Sequence, residues 1–379
     1  MALPGLWRKV PGYLLDATGP LTIRPGAVLG LAPWLMRFML AGATLPRVER
    51  TARVLRTLVG DAPARHKALA AAAGAPDYVA LRGLLYVFPD RAAFAAEALA
   101  WRLRRDNGVT WTTLDADALR QQEPALDPRY TFGVLVHDGA HCADPGGYVA
   151  HLAAYAVTLG ARLQKGQAAG FDVAHGQLRA VWTPDGLIPC TAAVIAAGAH
   201  SAALARMVGD RVPLRSERGY HVTIDPGDDA PMPRLPLMPS DGKMSVTLLQ
   251  QDGRPMLRVA GQVELAQTGA APDWRRAAVL KGWALRLFPA LPRDLPDSRV
   301  TTWMGHRPSV TDGLPVIGPS RRCAAVVHAF GHGHIGLASG PVTGRLVADL
   351  LGSGVPVIDP APFRASRFRH TRRRPIQNQ

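Results

Sequence analysis

The sequence predicts an α/β protein with an antiparallel sheet added, the two parts interleaved along one chain. Three observations lead there. Residues 191–209, TAAVIAAGAHSAALARMVG, read as a buried strand, a tight glycine turn and a helix, the unit from which parallel sheets are built. Residues 323–351 repeat that order, with CAAVVHAF as the strand and a glycine-rich turn before the helix. Between them, residues 212–265 change character and read as strands joined by Gly, Asp and Pro turns.

The elements follow in order. Residues 1–60 begin rich in Pro and Gly and then turn helical. The most apolar run, LGLAPWLMRFMLAGATL (29–45), is interrupted by Pro33 and Arg37 and is too short for a membrane span. It predicts a half-buried helix, with contact to a membrane surface as the alternative. GLLYVFPD (83–90) reads as a strand closed by Pro-Asp, and RAAFAAEALAWRLRRDNG (91–108) as one helix with Phe94, Ala98 and Trp101 on its inner face. In DPGGYVAHLAAYAVTLGARL (144–163), Asp144 is the expected cap and Pro145 the first helical residue. Val149, Leu152, Ala153, Ala156 and Leu159 form the expected buried stripe, and Gly160 the stop. Short strands are expected over 170–182, before a turn at Pro184-Asp185-Gly186. Ser201 is the expected cap of the helix that ends at Met207. RGYHVTI, KMSVTLLQ and PMLRVAGQVEL are the strands of the antiparallel part, with turns at Pro226-Gly227-Asp228 and Asp252-Gly253. A helix over 273–287 follows, and the last helix is expected to start near Pro341 or Thr343.

Composition narrows the function classes. Of the 379 residues, 47% are hydrophobic, enough for a large core. The net charge is +15, yet only five of the 44 basic residues are lysines, and the 39 arginines spread along the chain except in the stretch 364–374. No aromatic–basic alternation accompanies them, so no nucleic-acid partner is expected. Three cysteines without a CxxC argue against a disulfide framework and fit a reducing cytoplasm.

Two motifs carry chemistry. In GHGHIG (331–336), glycines let the backbone approach a ligand, and the following helix start favours negative charge. His332 and His334 are two apart, which is neither an HExxH nor a zinc-finger spacing, and no metal is expected. A plain turn and a contact to a cofactor phosphate or ring both stay open. In WMGHRPSVTDGLPVIG (303–318), Pro308 holds Arg307 in extended backbone, so its guanidinium has a fixed direction suited to a substrate carboxylate. HDGAHC (137–142) reads as a loop before the Asp144 helix.

Taken together and in this order, VIAAG, W-x-G-x-R-P-x-x-x-D-G-x-P-x-I-G and G-H-x-x-x-G resemble the FAD-dependent amino-acid oxidase/dehydrogenase superfamily. The segments LWRKVPGYLLDATGPLTIRP, RGYHVT and LRVAGQVEL look most like bacterial D-amino-acid dehydrogenases. The resemblance covers residues 1–352. It implies FAD, oxidative deamination of a D-amino acid by hydride transfer to flavin N5, and a membrane quinone as electron acceptor. The protein would then be cytoplasmic, peripheral on the cytoplasmic face of the inner membrane. It implies Arg307 as the carboxylate-binding residue and Tyr220 as a lining residue of the substrate pocket. Ala197, Gly198, Gly331, His332, Gly333, His334, Gly336 and Leu337 would face the cofactor. A related flavin amine dehydrogenase acting on D-hydroxyproline, glycine or sarcosine is the alternative.

The same resemblance implies an incomplete FAD-binding Rossmann-like domain interleaved with a substrate domain. The family opens with a strand–GxGxxG–helix–strand unit of roughly 30 residues, whereas this sequence starts in the segment that follows it. A mis-placed start or a truncated remnant that does not bind FAD is expected on that ground, with an exposed strand edge as its mark. The expected partition assigns 1–82 to a helical remainder, 83–135 and 212–302 to the substrate domain, 136–211 and 303–355 to the FAD-binding domain, and 356–379 to a basic tail.

Overall fold

The computed structural model describes residues 3–227, 230, 232–251, 253–352 and 354–368. Asp228 and Asp252 of the two expected turns, and the end of the basic tail from residue 369, lie outside the described residues.

One large mixed sheet dominates. Its strands run in the order Val300–Val310, Leu214–Ile224, Arg254–Leu265, Ser245–Gln251, Leu237–Pro239, Leu84–Phe88, Phe132–Val136 and Trp111–Leu114. Leu21–Ile23 adds in parallel beside Arg254–Leu265. Alternation puts Tyr220, Val222, Ile224, Leu257 and Val259 on one face, where helix Arg275–Leu287 covers them with Leu280, Ala284 and Leu287. Each of these fully buried aliphatic side chains contributes about 1.5–3 kcal/mol. At the far end, Phe88 and Phe132 pack with Trp101 of helix Ala98–Asp106.

A second sheet is small. Ala193–Ile195 pairs in parallel with Val326–Phe330, which pairs antiparallel with Val316–Pro319. Ile195, Val326 and Phe330 pack beneath helix Ser201–Met207 through Leu204 and Ala205. On the opposite face, Ile317 and Val327 meet Val342 and Leu346 of helix Gly336–Leu351, with Leu58 of helix Leu45–Val59. Among the described residues, nothing pairs with the other edge of Ala193–Ile195, and Val194 there is 42% exposed.

Several expectations need correction. The partition placed 303 at the start of a new domain, but Val300–Val310 pairs with Leu214–Ile224 along its whole length. Its hydrogen bonds hold it in the large sheet as far as Val310. Residues 91–108 form two helices, Arg91–Ala95 and Ala98–Asp106, broken at Ala96-Glu97. Asp144 does cap helix Pro145–Thr158, accepting from the Gly147 amide at 2.9 Å. The stripe proposed on that helix is not buried: Val149 is 56% and Leu159 71% exposed, and Tyr148 is the buried residue. Ser201 is the first helical residue instead of the cap, and its buried hydroxyl has no partner.

The last helix begins at Gly336, so Pro341 sits inside it. Proline has no amide for the carbonyl four residues back, here that of Leu337. His66 of helix Ala62–Ala72 donates its Nε2–H to that oxygen at 2.8 Å, and its Nδ1 meets the Tyr148 hydroxyl at 3.1 Å. The break in the helix is thereby filled from a neighbouring one.

Candidate active site

The same alternation that builds the core defines a second face. Glu217, Gly219 and His221 point away from helix Arg275–Leu287, as do their register partners Arg307, Gly305 and Trp303. Arg258, opposite Thr223, stands on this face as well.

Arg307 is held there by backbone. Nη1 donates to the Gln262 carbonyl at 2.9 Å and Nη2 to that of Gly261 at 3.4 Å. Those carbonyls are turned toward it by a β-bulge: Arg218 pairs with Glu264 but Tyr220 with Gly261, so one strand carries an extra residue. Gln262 takes φ 58° within the bulge, a conformation uncommon for a non-glycine residue. The guanidinium lies over Gly219, where an added Cβ would overlap it. Among the described residues no carboxylate comes within ion-pair distance of its nitrogens. Burial works against its proton, Glu217 works for it and Arg258 against.

Next to it, the His221 ring stacks on Trp303 with centroids 5.0 Å apart and 19° between planes. His221 Nδ1 accepts from Arg258 Nη2 at 3.1 Å. Burial, then the Arg258 charge, pushes the imidazole down to about 4, so it is neutral at pH 7 and free to accept.

Tyr220 does not share this face. It is 1% exposed, donates to Glu264 Oε2 at 2.5 Å and accepts from the Asp273 amide at 2.9 Å. Glu264 also takes Arg218 at 3.1 Å and Arg24 at 2.5 Å, a buried clamp joining three strands or their flanks. Tyr220 lies three positions from Glu217, an odd step, so pleating sends it to the opposite side from Arg307.

The glycine loops come to the edge of the Arg307 face. They stand at the carboxyl ends of the parallel strands Ala193–Ile195 and Val326–Phe330, where α/β sheets place their ligands. Gly198 has φ 54°, Gly331 φ 84° and Gly333 φ 54°. Ala197 and Gly198 lead into the turn Gly198–His200, which packs on Val300–Val310. His332 bridges to Ser309 by backbone, and Ser309 follows Arg307 by two residues. A cavity of about 220 Å³ lies between them, lined by Glu217, Ser309, Gly331, His332, Gly333 and His334. His334 Nδ1 is 3.6 Å from Glu217 Oε2. Burial raises the Glu217 pKa against the pull of Arg307. His332 Nε2 meets Thr343 Oγ1 at 3.1 Å, and burial pushes that ring down to about 4. Gly336 and Leu337 open the helix that follows, with Leu337 half-exposed. The structure thus brings Arg307 near the 331–336 loop and leaves Tyr220 out. Glu217, His221 and Arg258 were missed by sequence reasoning, because the register that brings three strands together is not written in any one of them.

Comparison with known proteins gives the family and the fold. A D-amino-acid oxidase of Bradyrhizobium diazoefficiens is 49% identical over 97% of this chain and 86% of its own length. A D-amino acid dehydrogenase of Rhizobium johnstonii is 29% identical over the same shares. Among solved structures, L-proline dehydrogenase from P. horikoshii superposes with TM-score 0.70 at 18% identity, covering 82% of each chain. Glycine oxidase from Geobacillus kaustophilus gives 0.69 at 22% identity, covering 90% of this chain and 84% of its own. The family model for FAD dependent oxidoreductases, DAO, matches residues 24–350, a span that takes in the Arg307 face and both glycine loops, and the chain belongs to that family.

Proposed function

We propose that the chain oxidises a D-amino acid to its imino acid, which water then splits into a 2-oxo acid and ammonia. The observation that carries this reading is the Arg307 fork, fixed by two carbonyls and without a carboxylate partner among the described residues. The relatives named for D-amino acids supply the substrate class.

FAD is the cofactor of the family, and the residues present fit its ring end. Gly331 and Gly333 take positive φ beside the small cavity, which Phe38 and Leu55 also line. Gly331, His332, Gly333, His334, Gly336 and Leu337 would hold the group, with Ala197 and Gly198 from the neighbouring strand. When bound, the flavin accepts at N5 the hydride that leaves the substrate α-carbon.

The chain's own residues supply position. Arg307 takes the α-carboxylate in a bidentate pair, which fixes the direction of the α-carbon. The substrate nitrogen must be neutral before the hydride leaves. Glu217, on the same face and with its pKa raised by burial, is the carboxylate placed to take that proton.

We also carry a quinone as acceptor and a place at the cytoplasmic membrane face. Helix Val28–Ala41 supports this, with Leu29 90%, Met36 62% and Leu40 55% exposed. No single helix among the described residues is long and apolar enough to cross a membrane. The test is a visible spectrum of the purified chain with FAD, before and after anaerobic D-alanine. Flavin bands that bleach, then return with quinone-bearing vesicles and not with air, are expected. Unbleached bands overturn the reaction, and return only with air overturns the acceptor. Arg307→Ala is expected to weaken D-alanine binding by about 2–5 kcal/mol, and retained affinity would remove Arg307 from the site.

A further inference from the structure

The Arg307 face holds a second guanidinium that the reaction above does not use. Arg258 is partly buried in the middle of the sheet, on the strand whose bulge seats Arg307. Its side-chain partner is a neutral imidazole, His221 Nδ1, and its buried Nε has no partner. No carboxylate among the described residues lies within ion-pair distance of it. A guanidinium withdrawn from water without an anion is costly, since Coulomb attraction is what offsets the lost hydration. Burial lowers its pKa, and it in turn opposes the Arg307 proton. The two cations are therefore near enough to repel, and an anion spanning them would relieve both.

Their spacing follows from the strand. The Arg307 guanidinium lies over Gly219, and His221 stands two residues further along the same strand and face, about 7 Å at strand rise. Arg258 reaches His221 from the neighbouring strand. The stack of His221 on Trp303 fixes the imidazole that Arg258 donates to. Such a span suits one small molecule with two carboxylates and is too long for both cations to grip a single carboxylate.

We propose that Arg258 is a specificity residue that binds a second carboxylate, so that the preferred substrates are acidic D-amino acids, D-aspartate or D-glutamate. The proposal rests on the reading of Arg307 given above: Arg307 takes the α-carboxylate and Arg258 the side-chain carboxylate, with His221 fixing the direction of Arg258. Neutral D-amino acids would leave Arg258 without an anion and bind less tightly.

The test is calorimetric titration of the full chain, supplemented with FAD, with D-aspartate, D-glutamate and D-alanine. At least one acidic ligand is expected to bind tenfold or more tightly than D-alanine. In Arg258→Met that ratio is expected to fall below threefold, and Arg258→Lys, which keeps a charge, is expected to hold part of it. Arg258→Gln, which keeps a donor for His221, guards against loss of folding and is expected to lose the preference as Arg258→Met does. An acidic-to-neutral ratio near one in the unaltered chain, or one that survives in Arg258→Met and Arg258→Gln, overturns this proposal and leaves the Arg307 reading standing. Loss of all binding in Arg307→Met, with the ratio still set by Arg258 in the parent, supports both. No binding of any of the three ligands to the parent overturns both.

Discussion

Gly219 decides whether Arg307 can lie where it does. A methyl group at that position would occupy the space of the guanidinium, and the flexible end of the arginine would give way before the sheet did. Gly219→Ala is therefore expected to lose substrate affinity nearly as far as Arg307→Ala, while stability changes by about 1 kcal/mol. Affinity from titration and Tm from calorimetry check the two halves, and a large fall in Tm with affinity retained would reverse the argument. Arg307 itself was legible in the sequence, because a proline after it fixes its backbone and the surrounding motif is long. Gly219 and Glu217 were not. They matter through their register partners Gly305 and Arg307, and pairing across strands leaves no mark on either segment. Tyr220 shows the converse. Its neighbours in RGYHVT pointed to a site, but its parity along the strand sent it to the clamp around Glu264.

At the scale of elements, local signals predicted existence better than limits. The Asp144 cap and the Gly160 stop of helix Pro145–Thr158 were readable because both act within one turn. Its buried face was not, since only part of the stripe meets a neighbour: Leu152 packs toward Ala70 and Val79 while Val149 and Leu159 stay exposed. The start of the last helix was expected near Pro341 or Thr343. The chain instead starts at Gly336 and relies on His66 to serve the carbonyl that Pro341 leaves unpaired. This division of labour is testable. His66→Ala is expected to cost about 1 kcal/mol in the parent chain. In a Pro341→Ala background, where a backbone amide again reaches the Leu337 oxygen, the cost is expected to fall by half or more. Denaturant unfolding of the four proteins gives the coupling directly, and strictly additive losses would show that the two residues act separately.

For the whole molecule, the interleaved plan expected from the alternation of strand types is the one found, with the large mixed sheet carrying the Arg307 face and the small sheet delivering the glycine loops. The boundary at 303 was misplaced because a motif spans two sheets. Residues up to Val310 belong to one and Val316–Pro319 to the other. The two sheets also end differently. In the large sheet the outer strand Val300–Val310 contains Pro308, which cannot donate to an incoming strand. Among the described residues Ala193–Ile195 has no such guard, and Val194 on that side is exposed. Self-association is therefore expected through the small sheet. Sedimentation across a concentration series should show the average mass rising for the parent and staying flat for Val194→Lys, and a flat profile for both would refute it.

That unguarded edge ties stability to mass action. Any strand that pairs there binds the folded chain and not the unfolded one, and adds RT ln(1 + [L]/Kd) to the free energy of unfolding. At a hundredfold excess over Kd this is about 2.7 kcal/mol, a large part of the margin by which an ordinary domain stays folded. The melting temperature of this chain is then no fixed constant. It reports how much of the free edge has found a strand to pair with.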